Sequence, residues 1–387
     1  MDKISEIYDL LKTEYGFYGL LLMLSLLILL AVQLRYWLGT YARVSKHKVG
    51  RTSAGARDGG ISVVVLTGEN FPYIENTLPK LVAQNYDRFE IIVVEIGTTE
   101  EFSDELAALK GRLPNLVTTK IEPDPRFPIS NKMAYNVGIK AARYENILLT
   151  TSDAEPVSDK WLACMGKGFA AGEIVLGYCG MEKKRSMAAK IMRSSRLMMS
   201  VRYLSAAIGK KCYRGIIHNI GFSRELYFSN RGFDHLDMNI GEDDLFIQRI
   251  SKGRSVSVVM NPHATMRETS WGGLGWWWKQ RKFYGSAYRL YPRAVKNRIE
   301  CELGSRLLFL LATVVCIIIL PIEIKIGAAA LWLLRLFLVR HQLWRIRRRL
   351  GENGIGLASV IYDTVEPFTA IALAFSRRVR PMAGVRR

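Results

Sequence analysis

The sequence predicts an α/β protein: a mostly parallel sheet with helices on both faces, one membrane helix before it and membrane helices after it. Three observations lead there. Between residues 61 and 151, runs rich in Val, Ile and Leu alternate with stretches of helical character. Continuously apolar strands belong to sheets buried on both faces, and intervening helices make neighbouring strands parallel. "FYGLLLMLSLLILLAVQL" (17–34) is uncharged and long enough to cross a bilayer, and a second apolar block starts near Leu307.

Taken in order, residues 1–16 carry Asp2, Glu6, Asp9 and Glu14 against Lys3 and Lys12. The anchor follows over 17–38, and no small-residue cleavage site follows it, so it is retained rather than removed as a signal. The linker over 39–60 carries Arg43, Lys46, Lys48, Arg51 and Arg57 before its first acid, Asp58. Positive charge stays inside, which puts residues 1–16 outside the cytoplasm and everything from the linker onward within it.

The cytosolic segment is 61–300. Strands are expected at 61–66, 90–95, 116–121 and 146–151, with helices near 73–84, 101–112 and 131–142. A hairpin of two membrane helices is expected over 305–340, turning at Pro321 to Lys325, then a basic cytoplasmic loop at 341–353. Residues 354–376 are apolar but contain Asp363, Glu366 and Pro367, which hydrocarbon disfavours. They read as a re-entrant, interfacial or transmembrane segment, with the first two preferred, before a basic tail at 377–387.

Charge and cysteines narrow the class. There are 55 Lys and Arg against 35 Asp and Glu, a net charge of +20, and the basic clusters lie beside apolar runs. That placement suits the anionic cytoplasmic leaflet and not nucleic acid. The five cysteines are scattered without metal-ligand spacing, as in a reduced compartment. No glycine-rich phosphate loop follows the first strand, where the chain reads "TGENFPY". Any nucleotide phosphates must be held by side chains and a metal.

Four segments in order resemble glycosyltransferase family 2. "ISVVVLTGEN", "TLPKLVAQNYDRFEIIVVEIGTTEE", "NKMAYNVGIKAA" and "LLTTSDAEPVSDKWL" match its opening strand, second strand, lysine-bearing helix and metal-binding turn. "HNIGFSREL", "GEDDLFIQRI" and "TSWGGLGWWWKQRKF" then occur in the family's order. The resemblance implies the GT-A fold, Rossmann-like, and transfer of a sugar from a nucleotide sugar. It implies membrane-bound bacterial members, multi-pass in the inner membrane with the catalytic domain in the cytoplasm.

The resemblance also assigns residues. Thr67, Glu69 and Glu95 fall on nucleoside-contacting positions, although Ile96 replaces an adjacent acid. Lys132, Asn136 and Gly138 match the helix, the first two sharing one helical face. Lys279 and Lys282, with Phe283, stand where processive synthases carry Gln-x-x-Arg-Trp; cations there bind diphosphate and the neighbouring aromatics stack on sugar or base.

Two alignments compete for the metal turn. Its shape alone gives Asp153-Ala154-Glu155. Anchoring on Pro156, Ser158, Trp161 and Leu162 gives Thr151-Ser152-Asp153, which needs no gap and is preferred. Asp153 holds a divalent metal, Mg or Mn, in both. Taken alone, an acidic turn of this kind more often caps the next helix. The family's Glu-Asp pair maps onto Glu242 and Asp243, with Asp243 the general base and Asp244 its rival. Three adjacent acids exceed what a helix N-terminus needs. His263 in "NPHATM" is the histidine to weigh as approaching the metal, although a lone histidine is more often structural.

The function expected is inverting transfer of a sugar, with uridine diphosphate the nucleotide the family implies, to a hydroxyl of a lipid-linked or glycan acceptor. Membrane lipids, partner subunits or further copies of the chain are the other partners. A processive polysaccharide synthase is the rival enzyme, weakened by too few membrane helices for a channel. A scaffold that binds nucleotide sugar without turnover is the rival non-enzyme, supported by Thr151 and Ile96.

Overall fold

A computed structural model describes residues 14–48, 59–122, 130–233 and 243–378 of the protein. Its centre is a seven-stranded sheet in the order β3-β2-β1-β4-β8-β6-β9. The strands are β1 (Ile61–Thr67), β2 (Phe89–Ile96), β3 (Leu116–Ile121), β4 (Asn146–Thr151), β6 (Ile174–Gly177), β8 (Ile220–Ser223) and β9 (Val256–Val259). Only β8 runs against the others. Every residue of β1 is buried, which its run of Val and Ile requires in a sheet covered on both sides. A short second sheet, β5-β10-β7, is made of β5 (Ala154–Pro156), β7 (Cys179–Met181) and β10 (Met266–Glu268).

The helices fall between the strands as the periodicity predicts. Residues Tyr73–Thr77 form a π-helical turn that leads into α3 (Leu78–Val82). Pro79 lacks the N–H that would close an ordinary turn on Glu75, so the wider turn is the natural entry. Helix α4 (Glu100–Lys110) starts at Thr99, whose hydroxyl accepts from Phe102 N at 3.4 Å; α5 (Asn131–Ala141) starts at Ser130, accepting from Met133 N at 3.2 Å. Gly138 lets α5 lie directly on the sheet: a Cβ there would come within 2.4 Å of a Val64 methyl. Helices α6 (Trp161–Ala171), α7 (Met187–Ile208), α8 (Arg224–Ser229), α9 (Leu245–Ile250) and α10 (Leu274–Tyr284) complete the middle of the chain.

Outside it, α1 (Glu14–Leu34) continues through a π-helical stretch at Arg35–Tyr41 into α2 (Ala42–Lys46). The hairpin consists of α11 (Arg293–Ile319) and α12 (Ile322–Arg349), which meet at Pro321. The last helix is α13 (Gly356–Arg378). Among the described residues, three helices are long and apolar enough to cross a membrane: Phe17–Lys46, Arg293–Ile319 and Gly356–Ser376. Helix α12 is not among them, its apolar run being interrupted by Lys325, Arg335 and Arg340. Leu26 and Leu30 of α1 pack with Phe309 and Cys316 of α11 and Ala328 of α12 in a separate apolar cluster.

The acids of α13 are fully compensated. Asp363 lies 2.8 Å from Arg335 and 2.9 Å from Arg306, and Glu366 accepts from Arg202 at 2.8 Å and lies 3.1 Å from Arg306. Glu302 closes the network from α11, 3.2 Å from Arg202. All these groups are buried or nearly so, and buried charges persist only when paired. The opposite face of α13 exposes Leu357, Ile361, Val365, Phe368, Ile371 and Phe375. The helix is therefore polar towards the protein and apolar away from it.

Candidate active site

The strand order reverses between β1 and β4, and open α/β sheets bind ligands at the carboxyl ends of strands beside such a reversal. Candidate residues gather there. Thr67 ends β1 and stands in register with Glu95 on β2. Glu95 is buried and accepts from Ser103 Oγ at 2.7 Å and Thr98 Oγ1 at 3.1 Å, so its carboxylate is held by two hydroxyls at the sheet edge. Glu69, in the turn after β1, accepts from Thr99 Oγ1 at 3.1 Å. Lys132 and Asn136 are both half-buried on α5.

Asp153 follows β4 and is buried, and its backbone carbonyl accepts from Thr269 N at 2.7 Å. Thr151 donates its hydroxyl to Asp153 Oδ1. Thr151 thus orients the Asp153 carboxylate. β10 pairs with β5 in antiparallel register, Glu268 opposite Ala154, which carries Glu268 to the side of Asp153.

A third group comes from the short 3-10 turn Ile217–Asn219, just before β8, which itself pairs with β4. His218 Nε2 lies 3.5 Å from Asp153 Oδ1 and 3.8 Å from Glu268 Oε2. The next residue fixes the turn. Asn219 donates to the carbonyls of Tyr178 and Ala264, each at 2.9 Å, and accepts from Trp161 Nε1 at 3.1 Å. Trp161, read in the sequence as part of the turn's signature, is thus a buried prop for the histidine.

Asp153, His218 and Glu268 each offer a ligand atom, all within 4.8 Å of one another, and all three side chains are buried. Glu268 Oε2 also accepts from Arg196, while Glu268 Oε1 and His218 Nδ1 are buried without a hydrogen-bond partner among the described residues. An unsatisfied buried carboxylate oxygen beside a second carboxylate fits a bound cation. One imidazole nitrogen with two carboxylates is a workable donor set for a divalent metal. The sequence reading found Asp153 and missed the other two. His263, the histidine it weighed instead, is exposed, with Nδ1 3.3 Å from Ser158 Oγ.

The acids before α9 separate into different roles. Glu242 lies outside the described residues. Asp243 is half-buried, its carbonyl accepting from Gly215 N at 3.0 Å. Asp244 occupies the helix N-cap but makes no capping hydrogen bond. Its carboxylate lies 3.0 Å from Arg214 Nε on one side and accepts from Tyr291 on the other. Burial pushes this carboxyl up to about 8, opposed by Arg214 and reinforced by Asp243.

From α10, Arg281 Nη1 donates to Ser195 Oγ at 3.3 Å, while Lys279 is exposed and Lys282 half-buried. Tyr284, one helical turn on, has its phenol pushed up by burial and then by the charge of Glu268, opposed by Arg196 and reinforced by Asp243 and Asp153. Arg196 and Arg214 flank its ring at 5.0 and 5.4 Å.

Among solved structures, the mannosyltransferase PcManGT from Pyrobaculum calidifontis, in complex with GDP-Man and Mn2+, matches with a TM-score of 0.54 at 15% identity, over 89% of this chain and 99% of that one. S. aureus TarS 1-349, in complex with UDP-GlcNAc, matches with a TM-score of 0.41 at 16% identity, over 81% of this chain and 92% of that one. At 15% identity the likeness to the mannosyltransferase structure is one of fold. No protein-family model matches the sequence, and no curated protein matches it.

Proposed function

We propose that the protein is a membrane-anchored, metal-dependent glycosyltransferase of the GT-A type, a member of family 2. It inverts the anomeric centre as it moves a sugar from a nucleotide sugar to an acceptor hydroxyl. The observation that carries this is the buried Asp153–His218–Glu268 cluster, set beside the strand-order reversal. The fold likeness to a mannosyltransferase holding GDP-Man and Mn2+ supports it.

The residues divide the work. Glu95 and Glu69, held by Thr98, Ser103 and Thr99, receive the nucleoside at the ends of β1 and β2. Guanosine joins uridine as a base to test, since the matched structure holds GDP-Man. Asp153, His218 and Glu268 hold a divalent ion, and their mixed nitrogen and oxygen donors favour Mn over Mg. When bound, such an ion neutralises charge on the leaving diphosphate. Lys132, Lys279 and Lys282 supply further positive charge. Asp243 takes the acceptor's proton, because Asp244 is buried between Arg214 and Tyr291 while Asp243 is half-buried and hydrogen-bonded to Asp244. Helices α1, α11 and α13 hold this domain at the cytoplasmic face of a bacterial inner membrane.

The test is nucleotide release from a panel of UDP- and GDP-sugars with Mn2+ and membrane lipid extract. The proposal expects release that requires metal and is lost in Asp153→Ala. A folded protein that neither binds nor turns over any member of the panel would remove it.

A further inference from the structure

Alternation along β10 puts Glu268 with Ala154 on one face of the short sheet and Arg267 with Glu155 on the other. Arg267 and Glu155 line a cavity of about 450 Å³ on that second face, behind the strand that carries Glu268. None of Asp153, His218 and Glu268 is in its wall. Lys80 comes to it from α3, Ser158 and Asp159 from the turn after β5, and Glu182 and Lys183 from the stretch after β7. Among the described residues, no part of the three helices able to cross a membrane lines it. The volume is within the range of small-molecule sites.

The acids of this wall are answered, and its cations are in excess. Glu155 pairs with Lys80, and Glu182 lies 2.9 Å from Lys184. Asp159 is exposed to water and accepts from Ser158 Oγ at 3.2 Å. On the buried side a single carboxylate, Glu352, serves both Arg267 and Arg193. Both guanidiniums are under one-tenth exposed, and the Nε of each is buried without a hydrogen-bond partner among the described residues. Lys183 is a third cation there: burial lowers its ammonium, Arg267 lowers it further, and Glu352 opposes. Arg347 is a fourth, within reach of the same Glu352. Four cations around one buried carboxylate are costly, and an anion in the cavity offsets them. Lys183 stands exposed on the rim, where it can touch such an anion, with Arg267 as charge behind it. Ser158 and the carboxylates of Asp159 and Glu182 accept from hydroxyl groups. Inorganic phosphate alone would leave most of the volume unfilled.

We propose that this cavity is a second ligand site, apart from the metal cluster, for a water-soluble phosphate monoester that carries hydroxyl groups. Its phosphate meets Lys183 in front of Arg267, and its hydroxyls reach Ser158 and Asp159. The site stands independently of the glycosyl-transfer reading, because neither metal nor donor enters it.

The experiment titrates the full-length protein in detergent by calorimetry, with EDTA present, using glycerol phosphate, a hexose phosphate, inorganic phosphate and glycerol. At least one of the two esters should bind about tenfold or more tightly than inorganic phosphate, and glycerol should not bind. Binding should weaken as salt is raised. Lys183→Glu reverses the charge of the rim, and Val157→Trp fills the cavity from a position that is 48% exposed. Each should weaken the ester about tenfold or more while thermal unfolding shows a folded protein. Asp153→Ala should leave ester binding unchanged. Failure of both esters to bind overturns the site, and inorganic phosphate binding as tightly as the esters overturns the hydroxyl-bearing ligand. Wild-type binding by both folded rim variants overturns the location, as does loss of ester binding in Asp153→Ala. A separate titration with nucleotide sugar and Mn2+ tests the glycosyl-transfer reading on the same preparation. Donor binding without ester binding sinks this proposal alone, and ester binding without donor binding sinks that reading alone.

Discussion

Thr151 donates its hydroxyl to Asp153 Oδ1 across the turn that ends β4. Thr151 therefore holds a carboxylate of the buried cluster in one orientation. Thr151→Val retains the shape and loses the donor. It should weaken Mn2+ binding or turnover about 10- to 100-fold, as loss of an orienting partner does elsewhere. Titration of the metal by calorimetry measures it, and unchanged affinity with unchanged turnover would show that the hydroxyl has no orienting role.

His218 and Glu268 should separate from each other on substitution. His218→Ala removes a metal-ligand candidate and leaves Asp153 and Glu268 side by side, so metal affinity should fall while the fold survives. Glu268→Gln also strips Arg196 of its buried counter-ion. Breaking such a pair from one side destabilises by about 3–5 kcal/mol. Chemical denaturation of the two variants checks the contrast; equal stability would mean that Arg196 finds another partner.

The pH dependence of stability follows from Asp244. Its folded carboxyl, raised from the usual 3.8 to about 8, keeps a proton that the unfolded chain releases. Between those values the folded state binds more protons, so this group's contribution to stability declines as pH rises through the window and levels off above about 8. Asp244→Asn should flatten that decline in thermal unfolding followed from pH 5 to 9. A slope identical to wild type would show that Asp244 is ionised throughout.

Helix α13 should depend on its acids. Asp363→Leu leaves Arg306 and Arg335 facing each other without the carboxylate between them. The loss should be about 3–5 kcal/mol, much of it recovered when Arg335→Met is added, because a matched apolar pair replaces a buried ion pair at little penalty. Protease sensitivity at the loop before α13 reads this out. A double variant no more stable than the single one would contradict the pairing.

Much of the sheet was legible from composition alone. β1, β2 and β4 each carry an unbroken apolar run of Val, Ile or Leu at their centre, as strands buried on both faces do. Asp153 was legible because it lies in a local pattern anchored by Pro156 and Trp161. His218 and Glu268 were not, because antiparallel pairing of β8 with β4 and of β10 with β5 brings them there. Nothing in the spacing of either residue records that pairing. Asp363 and Glu366 read as unfavourable in a membrane helix for the same reason: their partners, Arg202, Arg306 and Arg335, lie on three other helices. The division between Asp243 and Asp244 is likewise tertiary, set by Arg214 and Tyr291.

The most direct test of the central claim is turnover of a nucleotide sugar by Asp243→Asn beside wild type, with donor affinity measured on the same preparations. The account predicts a fall in kcat of about 10²- to 10⁴-fold with donor affinity unchanged. Wild-type turnover in that variant would contradict it.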